Sequence, residues 1–264
     1  MISEYLSLEL LFAIVFFVSG TAVGSFLNVC IHRLPLNKSI VFPGSHCPSC
    51  KTPIKPHDNI PILSYLILGG KCRKCAATIS IRYPIVEFMG GLFALAVFYK
   101  YGMTISGFVH YIYIASLIVI TFIDLDHRII PDVISLPGIV LFILAQFILP
   151  GGSVKYGLIG LLTGGGILYS VAFIYQLLTG REGMGGGDIK LLAMIGALTG
   201  WIGVVFTLFM ASALGAVIGI TLMLLKGENM KLAIPFGPFL ASASILYLFF
   251  GMPIILWYVH IMRP

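Results

Sequence analysis

The chain has 264 residues, of which 59% are hydrophobic and only 10% are charged, and its mean hydropathy is +1.04. Because an ordinary soluble domain has about 25% charged residues, this composition excludes a soluble globular protein and indicates an integral membrane protein with several spans. A single signal peptide does not explain the pattern, since apolar runs recur along the whole chain.

Eight apolar segments follow one another along the chain, each bounded by charge, proline or glycine. They are residues 6–31, 84–99, 107–123, 133–149, 157–178, 189–200, 202–225 and 234–258. A spanning helix needs about 20 residues, with about 17 as a practical minimum, so the short segment 189–200 leaves seven spans as an alternative. We predict an all-α polytopic membrane protein with about eight transmembrane helices, whose many small residues permit close helix packing.

The distribution of basic residues predicts the orientation of these helices. If the first helix runs from outside to inside, 13 of the 16 Lys and Arg residues lie inside, and only Lys100, Lys155 and Arg263 lie outside. The positive-inside rule favours this arrangement, with the N-terminus outside. The net charge of +6 is then a topological signal. We therefore predict the lipid bilayer as a partner and no nucleic acid.

The segment 32–83, which follows the first span, is the only large extramembrane segment and carries four of the five cysteines. Cys47 and Cys50 form one C-x2-C pair, Cys72 and Cys75 form a second, and 21 residues separate the two pairs. This spacing is typical of a structural zinc site with four thiolate ligands. A metal would help to order a 52-residue segment on the reducing, cytosolic side. Two redox pairs or unligated thiols remain the alternatives.

The predicted organisation has three parts: a first transmembrane helix (1–31), the cytosolic four-cysteine segment (32–83) and a multi-helix membrane peptidase domain (84–264). The fifth cysteine, Cys30, lies at the end of the first span. We interpret it as a buried small side chain and not as a metal ligand.

Two aspartates lie at the predicted inner ends of spans. Asp124 ends the third span in "FIDLDHRIIPD", and Asp188 begins the sixth span after the glycine run "GMGGG". Ionisable residues at membrane helices are costly and are functional candidates by default. On the predicted topology the two aspartates share one membrane face, although 64 positions separate them.

Two close carboxylates share a proton, so that one can act as a base and the other as an acid. Such a pair can activate a water molecule to attack a peptide carbonyl. Gly185 and Gly187 would let the backbone approach a substrate, which could pair with it as an added strand, and Lys190 is a further substrate-binding candidate. The alternative is that each aspartate only caps a helix or occupies its first turn.

Several sequence blocks resemble one known family along nearly the full length of the chain. They are "GSFLNVCIHRLP" at 24–35, the two cysteine pairs, "HDNIPILSYLILGGKCRKC" at 57–75, "SIRYPIVEFMGG" at 80–91, "DLDHRIIPD" at 124–132 and "GMGGGDIKLLAMIGALTG" at 183–200. In this order they resemble the type IV prepilin peptidases. These are bifunctional leader peptidases and N-methyltransferases of the GxGD aspartic protease group.

The resemblance implies that Asp124 and Asp188 are the catalytic pair. The first aspartate of the family lies six residues before an Ile-Pro pair, which is Ile130-Pro131 in this chain, and Asp126 is the competing choice. The resemblance also implies cleavage of a basic leader from prepilins or pseudopilins of type IV pili or type II secretion. The new N-terminus is then methylated from S-adenosylmethionine. The implied location is the bacterial inner membrane.

The methyl donor has to bind at the four-cysteine segment or at its junction with the helices, because no soluble methyltransferase fold fits in the chain. Our candidates for contact with the donor are Glu87, Asp58, Asn59 and Arg82. Structural alternatives exist for the acids, since Glu87 could pair with Arg82 and Asp58 could belong to a turn.

A rival function is that of a non-enzymatic membrane scaffold or carrier with a cytosolic zinc module. A membrane zinc hydrolase is disfavoured, because the chain has no HExxH motif and four thiolates leave no open position on the metal.

Overall fold

The computed structural model describes residues 2–181, 183, 185–226 and 234–262. Met184 in the glycine run, and Lys231 and Arg263 in the charge count, lie outside the described residues. The chain forms two compact units, Met1–Val119 and Ile120–Pro264. These two units do not test the three-part organisation predicted from the sequence, which stays a prediction.

The first unit contains three membrane-type helices and a short helix in the four-cysteine segment. The helices are α1 (Ile2–Arg33), α2 (Leu63–Ile67), α3 (Arg82–Tyr101) and the first part of α4 (Ile105–His127), with 3-10 turns at Leu34–Leu36 and Pro56–Asn59. Helices α1 and α3 pack closely because glycines face each other. A methyl group built on Gly20 would lie 2.6 Å from the carbonyl oxygen of Gly90. Such small residues allow the backbones of membrane helices to approach.

The second unit contains the rest of α4 and five further helices. They are α5 (Asp132–Ala145), α6 (Val154–Thr179), α7 (Gly186–Lys226), α8 (Gly237–Leu246) and α9 (Met252–Met262), with a π-helical turn at Tyr247–Gly251 that joins the last two.

Helix α7 folds back on itself at Gly200. This glycine has φ 68° and ψ −175°, which is not helical. Position 196 lies beside Val204, since a methyl group built on Gly196 would be 2.8 Å from Cγ2 of Val204. Residues eight apart in a straight helix are separated by about 12 Å, so the chain turns sharply at Gly200 and the two arms are separate helices. We call residues 186–199 the first arm and 201–226 the second arm, and the break lies at the boundary predicted near Thr199–Trp201.

Buried polar side chains satisfy the carbonyl groups that the break leaves without helical partners. Gln146 follows α5 and donates through Nε2 to the carbonyl oxygens of Ala197 (3.0 Å) and Leu198 (2.9 Å). The hydroxyl of Tyr156 in α6 donates to the carbonyl oxygen of Thr199 at 3.0 Å. Unsatisfied backbone groups are costly in lipid, so these bonds stabilise the end of the first arm.

Helices α5 and α6 hold the first arm between them. In α6, Gly160 packs directly against Gly196 of the first arm. In α5, Gly138 packs directly against Met194. Helix α5 has 14 residues, and the first arm, from Gly186 to the residue before Gly200, also has 14. Each is therefore about 21 Å long.

The helix count agrees with the prediction of about eight spans. Six helices in the described part of the chain are long and apolar enough to cross a membrane, and the shorter apolar α5 adds a seventh. If the two arms of α7, which the break at Gly200 separates, are counted as two, the total is eight. Every regular element in the described ranges is a helix, apart from isolated bridges at His46–Pro53 and Lys71–Thr78. Large apolar side chains cover much of the surface, with Leu178 exposed at 78%. The chain is a multi-pass membrane protein.

Candidate aspartyl site and four-cysteine centre

Asp124 lies buried at the end of α4. Its side chain is 5% exposed, and Oδ2 accepts a hydrogen bond from the backbone N–H of Gly237 at 3.1 Å. Gly237 begins α8 and is followed by Pro238, a residue that favours the first turn of a helix. Asp126, the competing choice for the first acid, is exposed. The structure therefore places Asp124, and not Asp126, in a buried polar contact with the start of α8.

Asp188 lies half-buried in the first turn of α7, and its backbone N–H donates to the carbonyl oxygen of Gly185 at 3.3 Å. As an acid in the first turn, Asp188 stabilises the start of α7, which is what the capping alternative predicted. Its neighbour Gly187 packs against Ile130, and Ile130 also packs against Gly237, the partner of Asp124. The capping and pairing interpretations are therefore compatible.

The side chain of Ile130 connects the two aspartate-bearing loops. A methyl group built on Gly187 would lie 3.0 Å from Cβ of Ile130, and one built on Gly237 would lie 3.4 Å from its Cδ1. Ile130 therefore packs between the glycine that precedes Asp188 and the glycine that bonds Asp124. This packing brings together residues that are more than 100 positions apart in the chain.

Gly237 is the residue of this site that sequence reasoning missed. A methyl group built on it would lie 2.5 Å from Oδ2 of Asp124, a distance at which something must shift. Only a residue without Cβ can present its N–H to Asp124 in this way. The Gly237-Pro238 pair marks a helix start in the sequence, but nothing in that pattern indicates the distant partner.

The two other substrate-binding candidates of the glycine run lie near the same helix start. Gly185 is exposed, and the Nζ atom of Lys190 lies 2.7 Å from Oδ1 and 2.8 Å from Oδ2 of Asp132. Both partners of this ion pair are exposed, the Lys190 side chain at 39% and the Asp132 side chain at 54%. The pair joins the starts of α5 and α7, and it leaves Lys190 accessible to a substrate.

The two cysteine pairs share one backbone geometry, repeated at an offset of 25 residues. The N–H of Cys47 donates to the carbonyl oxygen of Thr52, as the N–H of Cys72 donates to that of Ala77. The N–H of Ile54 donates to the carbonyl oxygen of Ser45, and the N–H of Ile79 donates to that of Gly70 in the same way. Positive φ angles occur at matching positions, 57° at Lys51 and 55° at Ala76. Each pair therefore lies on a turn of the same shape.

The sulfur atoms of the four cysteines converge on one point. All four Sγ atoms lie within 4.8 Å of one another, with 3.8 Å between Cys47 and Cys75 and 4.0 Å between Cys50 and Cys72. A tetrahedron with metal–sulfur bonds of about 2.3 Å has sulfur–sulfur edges of about 3.8 Å. The cluster therefore has the ligand type and the spacing to hold a metal ion.

Local hydrogen bonds favour the thiolate form that metal binding requires. The hydroxyl of Thr52, followed by its backbone, lowers the pKa of Cys50 to about 6. The backbone N–H groups of Cys75 and Lys74 lower the pKa of Cys72. Thiolates, and not thiols, are the ligands of metal ions, so these bonds favour coordination by Cys50 and Cys72, whereas burial and the neighbouring thiols raise the pKa of Cys75 to about 11.

Two of the methyl-donor candidates make specific contacts within the first unit. Oε2 of Glu87 accepts the backbone N–H of Ile62 at 2.8 Å. Ile62 has φ 61° and ψ −53°, and the neighbouring N–H of Leu63 donates to the carbonyl oxygen of Pro61 at 2.6 Å. This is a γ-turn of the rarer, strained hand, at a β-branched residue. Glu87 therefore holds a strained turn in place.

Asp58 forms a bidentate ion pair with Arg73. Nε of Arg73 lies 2.9 Å from Oδ2 and Nη2 lies 2.7 Å from Oδ1, and this guanidinium lowers the pKa of Asp58. The pair connects the 3-10 turn at Pro56–Asn59 with the second cysteine pair. Asn59 is exposed and Arg82 is half-buried at the start of α3.

Comparisons with known proteins cover almost the whole chain. Residues 18–101 match the model of the bacterial peptidase A24 N-terminal domain, and residues 111–220 match the model of the Type IV leader peptidase family. The chain belongs to the Type IV leader peptidase family. Its N-terminal match contains the four cysteines, and its second match contains Asp124 and Asp188. Gly237 lies beyond both matches, so the contact that orients Asp124 comes from a part of the chain that neither model covers.

Several relatives align with this chain over most of its length and most of their own. The prepilin leader peptidase/N-methyltransferase of Pseudomonas aeruginosa is 37% identical, with 94% of each chain covered. The protein with the same name from Aeromonas hydrophila is 38% identical, with 95% of this chain and 94% of its own covered, and that of Neisseria gonorrhoeae is 38% identical with 86% of each covered. No solved structure matches the chain.

Proposed function

We propose that this chain cleaves the basic leader peptide of type IV prepilins or pseudopilins and methylates the new N-terminus. The observation that supports the proposal is that Ile130 packs against Gly187, which precedes Asp188, and against Gly237, which bonds the buried Asp124. The names of the relatives support the substrate class and both activities.

The aspartates perform the hydrolysis without a covalent intermediate. One carboxylate takes a proton from a water molecule, whose oxygen then attacks the carbonyl carbon of the scissile bond. The other carboxyl group donates its proton to the carbonyl oxygen. When the carbon–nitrogen bond breaks, the departing amine nitrogen accepts a proton from the pair. The N–H of Gly237 holds the Asp124 carboxylate in position throughout.

The exposed backbone at Gly185, with Gly187 beside it, is the proposed contact for the substrate backbone. Lys190 is the proposed contact for a polar group of the substrate near the cleavage site. Under this proposal the site faces the cytosol in a bacterial inner membrane, with the N-terminus outside. The distribution of basic residues in the sequence supports that orientation.

We propose zinc as the metal of the four-cysteine centre, with Cys47, Cys50, Cys72 and Cys75 as its ligands. The four-sulfur donor set and the sulfur–sulfur spacing fit a tetrahedral zinc site. Zinc would act there by ordering the segment and not by chemistry, since four protein ligands leave no open position.

S-adenosylmethionine is the proposed methyl donor, and when bound it supplies a methyl group carried on a sulfonium sulfur. Its candidate contacts remain Glu87, Asp58, Asn59 and Arg82. The carboxylate of Glu87 is half-buried and has acceptor oxygens of the kind that a ribose hydroxyl requires. The contacts of Glu87 with Ile62 and of Asp58 with Arg73 hold these two carboxylates in place.

The decisive experiment compares single Asp→Asn variants in cleavage of a purified prepilin, followed by gel electrophoresis. We expect Asp124→Asn and Asp188→Asn to abolish cleavage, because each removes one proton-transfer group. Asp126→Asn, the exposed neighbour, is the matched control and should cleave normally. Near-normal turnover by either of the first two variants would refute the pair.

The same samples test methyl transfer. Mass spectrometry of the cleaved product should show one added methyl group at the new N-terminus when S-adenosylmethionine is supplied. A non-enzymatic scaffold would show neither cleavage nor methylation in the wild-type protein.

A further inference from the structure

An uncharged stretch lies between the two cysteine pairs of the first unit. Residues 59–70, "NIPILSYLILGG", contain no charged side chain, whereas Lys55 precedes them and Lys71 follows them. Helix α2 lies within this stretch, and its exposed large side chains are Leu63 (56%), Leu66 (66%) and Ile67 (77%). Their spacing of three and four residues places them on one side of the helix, which we call the exposed face of α2.

A hydrogen bond fixes the depth of this stretch beside the membrane helices. The backbone N–H of Ile62 donates at 2.8 Å to the carboxylate of Glu87, which lies three residues past the first residue of the apolar segment 84–99. On α1, a methyl group built on Gly24 would lie 2.6 Å from Cα of Glu87, and Gly24 is seven residues before the last residue of the apolar segment 6–31. At about 1.5 Å per residue, Glu87 lies about 5–10 Å inside the ends of both apolar segments. The start of α2 is therefore held at the level of the bilayer interface.

The backbone of the stretch bonds largely to itself. Besides the N–H of Ile62, six N–H groups of residues 59–70 donate to carbonyl oxygens of the same stretch, and they belong to Leu63, Ser64, Leu66, Leu68, Gly69 and Gly70. The hydroxyl of Ser64 donates to the carbonyl oxygen of His57 at 3.1 Å. Lipid offers no hydrogen-bond partners, so a chain that enters it has to satisfy its own polar groups. The stretch is built as lipid requires, and bulk water makes no such demand.

We propose that residues 60–68 insert into the bilayer interface, with the exposed face of α2 among the upper acyl chains. The exposed lysines at the two ends of the stretch, Lys55 and Lys71, then meet anionic lipid headgroups. Asp58, the acid beside Lys55, is paired with Arg73 and does not oppose this contact. The insertion is independent of the aspartyl chemistry.

Lipid fits the exposed face of α2 better than a soluble protein does. A protein in the cytosol would have to reach the level of Glu87, where lipid already surrounds α1 and α3. The segment 32–83 is then partly embedded, and it is anchored by α2 as well as by the helices at its two ends. Lipid around α2 also keeps water from competing for the bond between Ile62 and Glu87, which holds the strained turn.

Tryptophan fluorescence of the full chain in vesicles tests the insertion. The native Trp201 and Trp257 are changed to Phe, and a single new probe is introduced as Ile67→Trp or, as the matched control, Ile54→Trp. Ile54 is also exposed, at 40%, but lies on the turn of the first cysteine pair. In vesicles of phosphatidylcholine and phosphatidylglycerol, brominated lipid should quench Ile67→Trp by more than half and should leave Ile54→Trp nearly unchanged. Equal quenching of both probes, or no quenching of Ile67→Trp, would overturn the insertion.

A label confined to lipid tests the insertion on the unchanged chain, so the result does not depend on the folding of a variant. A photoactivated diazirine carried on an acyl chain should mark residues 60–68 and leave residues 45–55 unmarked, as located by mass spectrometry. A water-soluble diazirine should give the opposite pattern. If the water-soluble label marks both ranges equally, the exposed face of α2 is open to the cytosol as a docking surface for a protein, and the insertion is overturned.

Discussion

The contact between Gly237 and Asp124 makes a sharp prediction about catalysis. In Gly237→Ala the new methyl group would start 2.5 Å from Oδ2 of Asp124, whereas ordinary van der Waals contact begins at 3.4 Å. The carboxylate must therefore move by about 0.9 Å, or the start of α8 must move by the same amount. Either shift breaks the 3.1 Å hydrogen bond from the Gly237 N–H.

The expected result is a loss of rate without a loss of folding. A displacement of roughly 1 Å in a catalytic group can lower the rate about 100-fold, which corresponds to about 2.7 kcal/mol. Alanine in place of glycine in a helix is otherwise neutral or stabilising by up to about 1 kcal/mol. The broken hydrogen bond costs about 1–3 kcal/mol and the helix propensity of alanine offsets part of it, so the Gly237→Ala protein should have a modestly lower Tm in detergent and a strongly reduced kcat.

The assay is single-turnover cleavage of a prepilin substrate, which reports the chemical step without product release. Gly215→Ala is the matched control in the same unit, because its new methyl group would lie 3.7 Å from Phe239, an ordinary contact. The reasoning fails if Gly237→Ala cleaves within threefold of wild type, or if Gly215→Ala loses as much activity as Gly237→Ala.

Three further predictions follow from contacts elsewhere in the molecule. Gln146→Met leaves the carbonyl groups of Ala197 and Leu198 unsatisfied and should lower the free energy of unfolding by about 2–5 kcal/mol, which is measured as a lower Tm in detergent. The control is the same change at the exposed Gln176, which should leave Tm unchanged. Removing the metal with a chelator, or making Cys50→Ser, should reduce bound zinc and expose residues 45–80 to limited proteolysis. The control Cys30→Ala should retain about one zinc per chain, and a wild-type chain without zinc would refute the site. Lys190→Gln should change the free energy of unfolding by less than about 1 kcal/mol, because the ion pair with Asp132 is exposed. The KM for the prepilin should rise, and an unchanged KM would show that Lys190 does not contact the substrate.

The sequence was sufficient to predict the helix count and the positions of Asp124 and Asp188 at helix ends. Apolar runs report spans directly, because a bilayer requires long helices with few charges. The count of basic residues then placed the two aspartates at helix ends on one side, where they could meet despite their separation in the chain. The break at Gly200 was visible only as an ambiguous boundary, since glycine permits a turn there without requiring one.

The contacts that hold these features could not be predicted. Gln146 lies at the end of an apolar run, where a polar residue is typical of a loop, and no local pattern indicates that it bonds carbonyl groups 51 positions later. The N–H of Gly237 is a backbone donor, which leaves no trace in residue type. Glu87 was expected near a ligand, but its observed partner is the strained turn at Ile62, which a β-branched residue rarely adopts. Its role in methyl transfer stays a prediction.

The shortness of α5 and of the first arm of α7 has a consequence for the surrounding lipid. Each is about 21 Å long, while the hydrocarbon core of a bilayer is about 30 Å thick, so about 9 Å remain uncovered beside them. Of the two, α5 faces lipid, since residues 191–200 of the first arm are buried, so we expect the bilayer to thin beside α5. Thinning at the inner face would bring headgroup water closer to Asp132, whose partner Lys190 lies near the start of α7. An enzyme of this build would work faster in membranes of short-chain lipids than in thick, ordered ones.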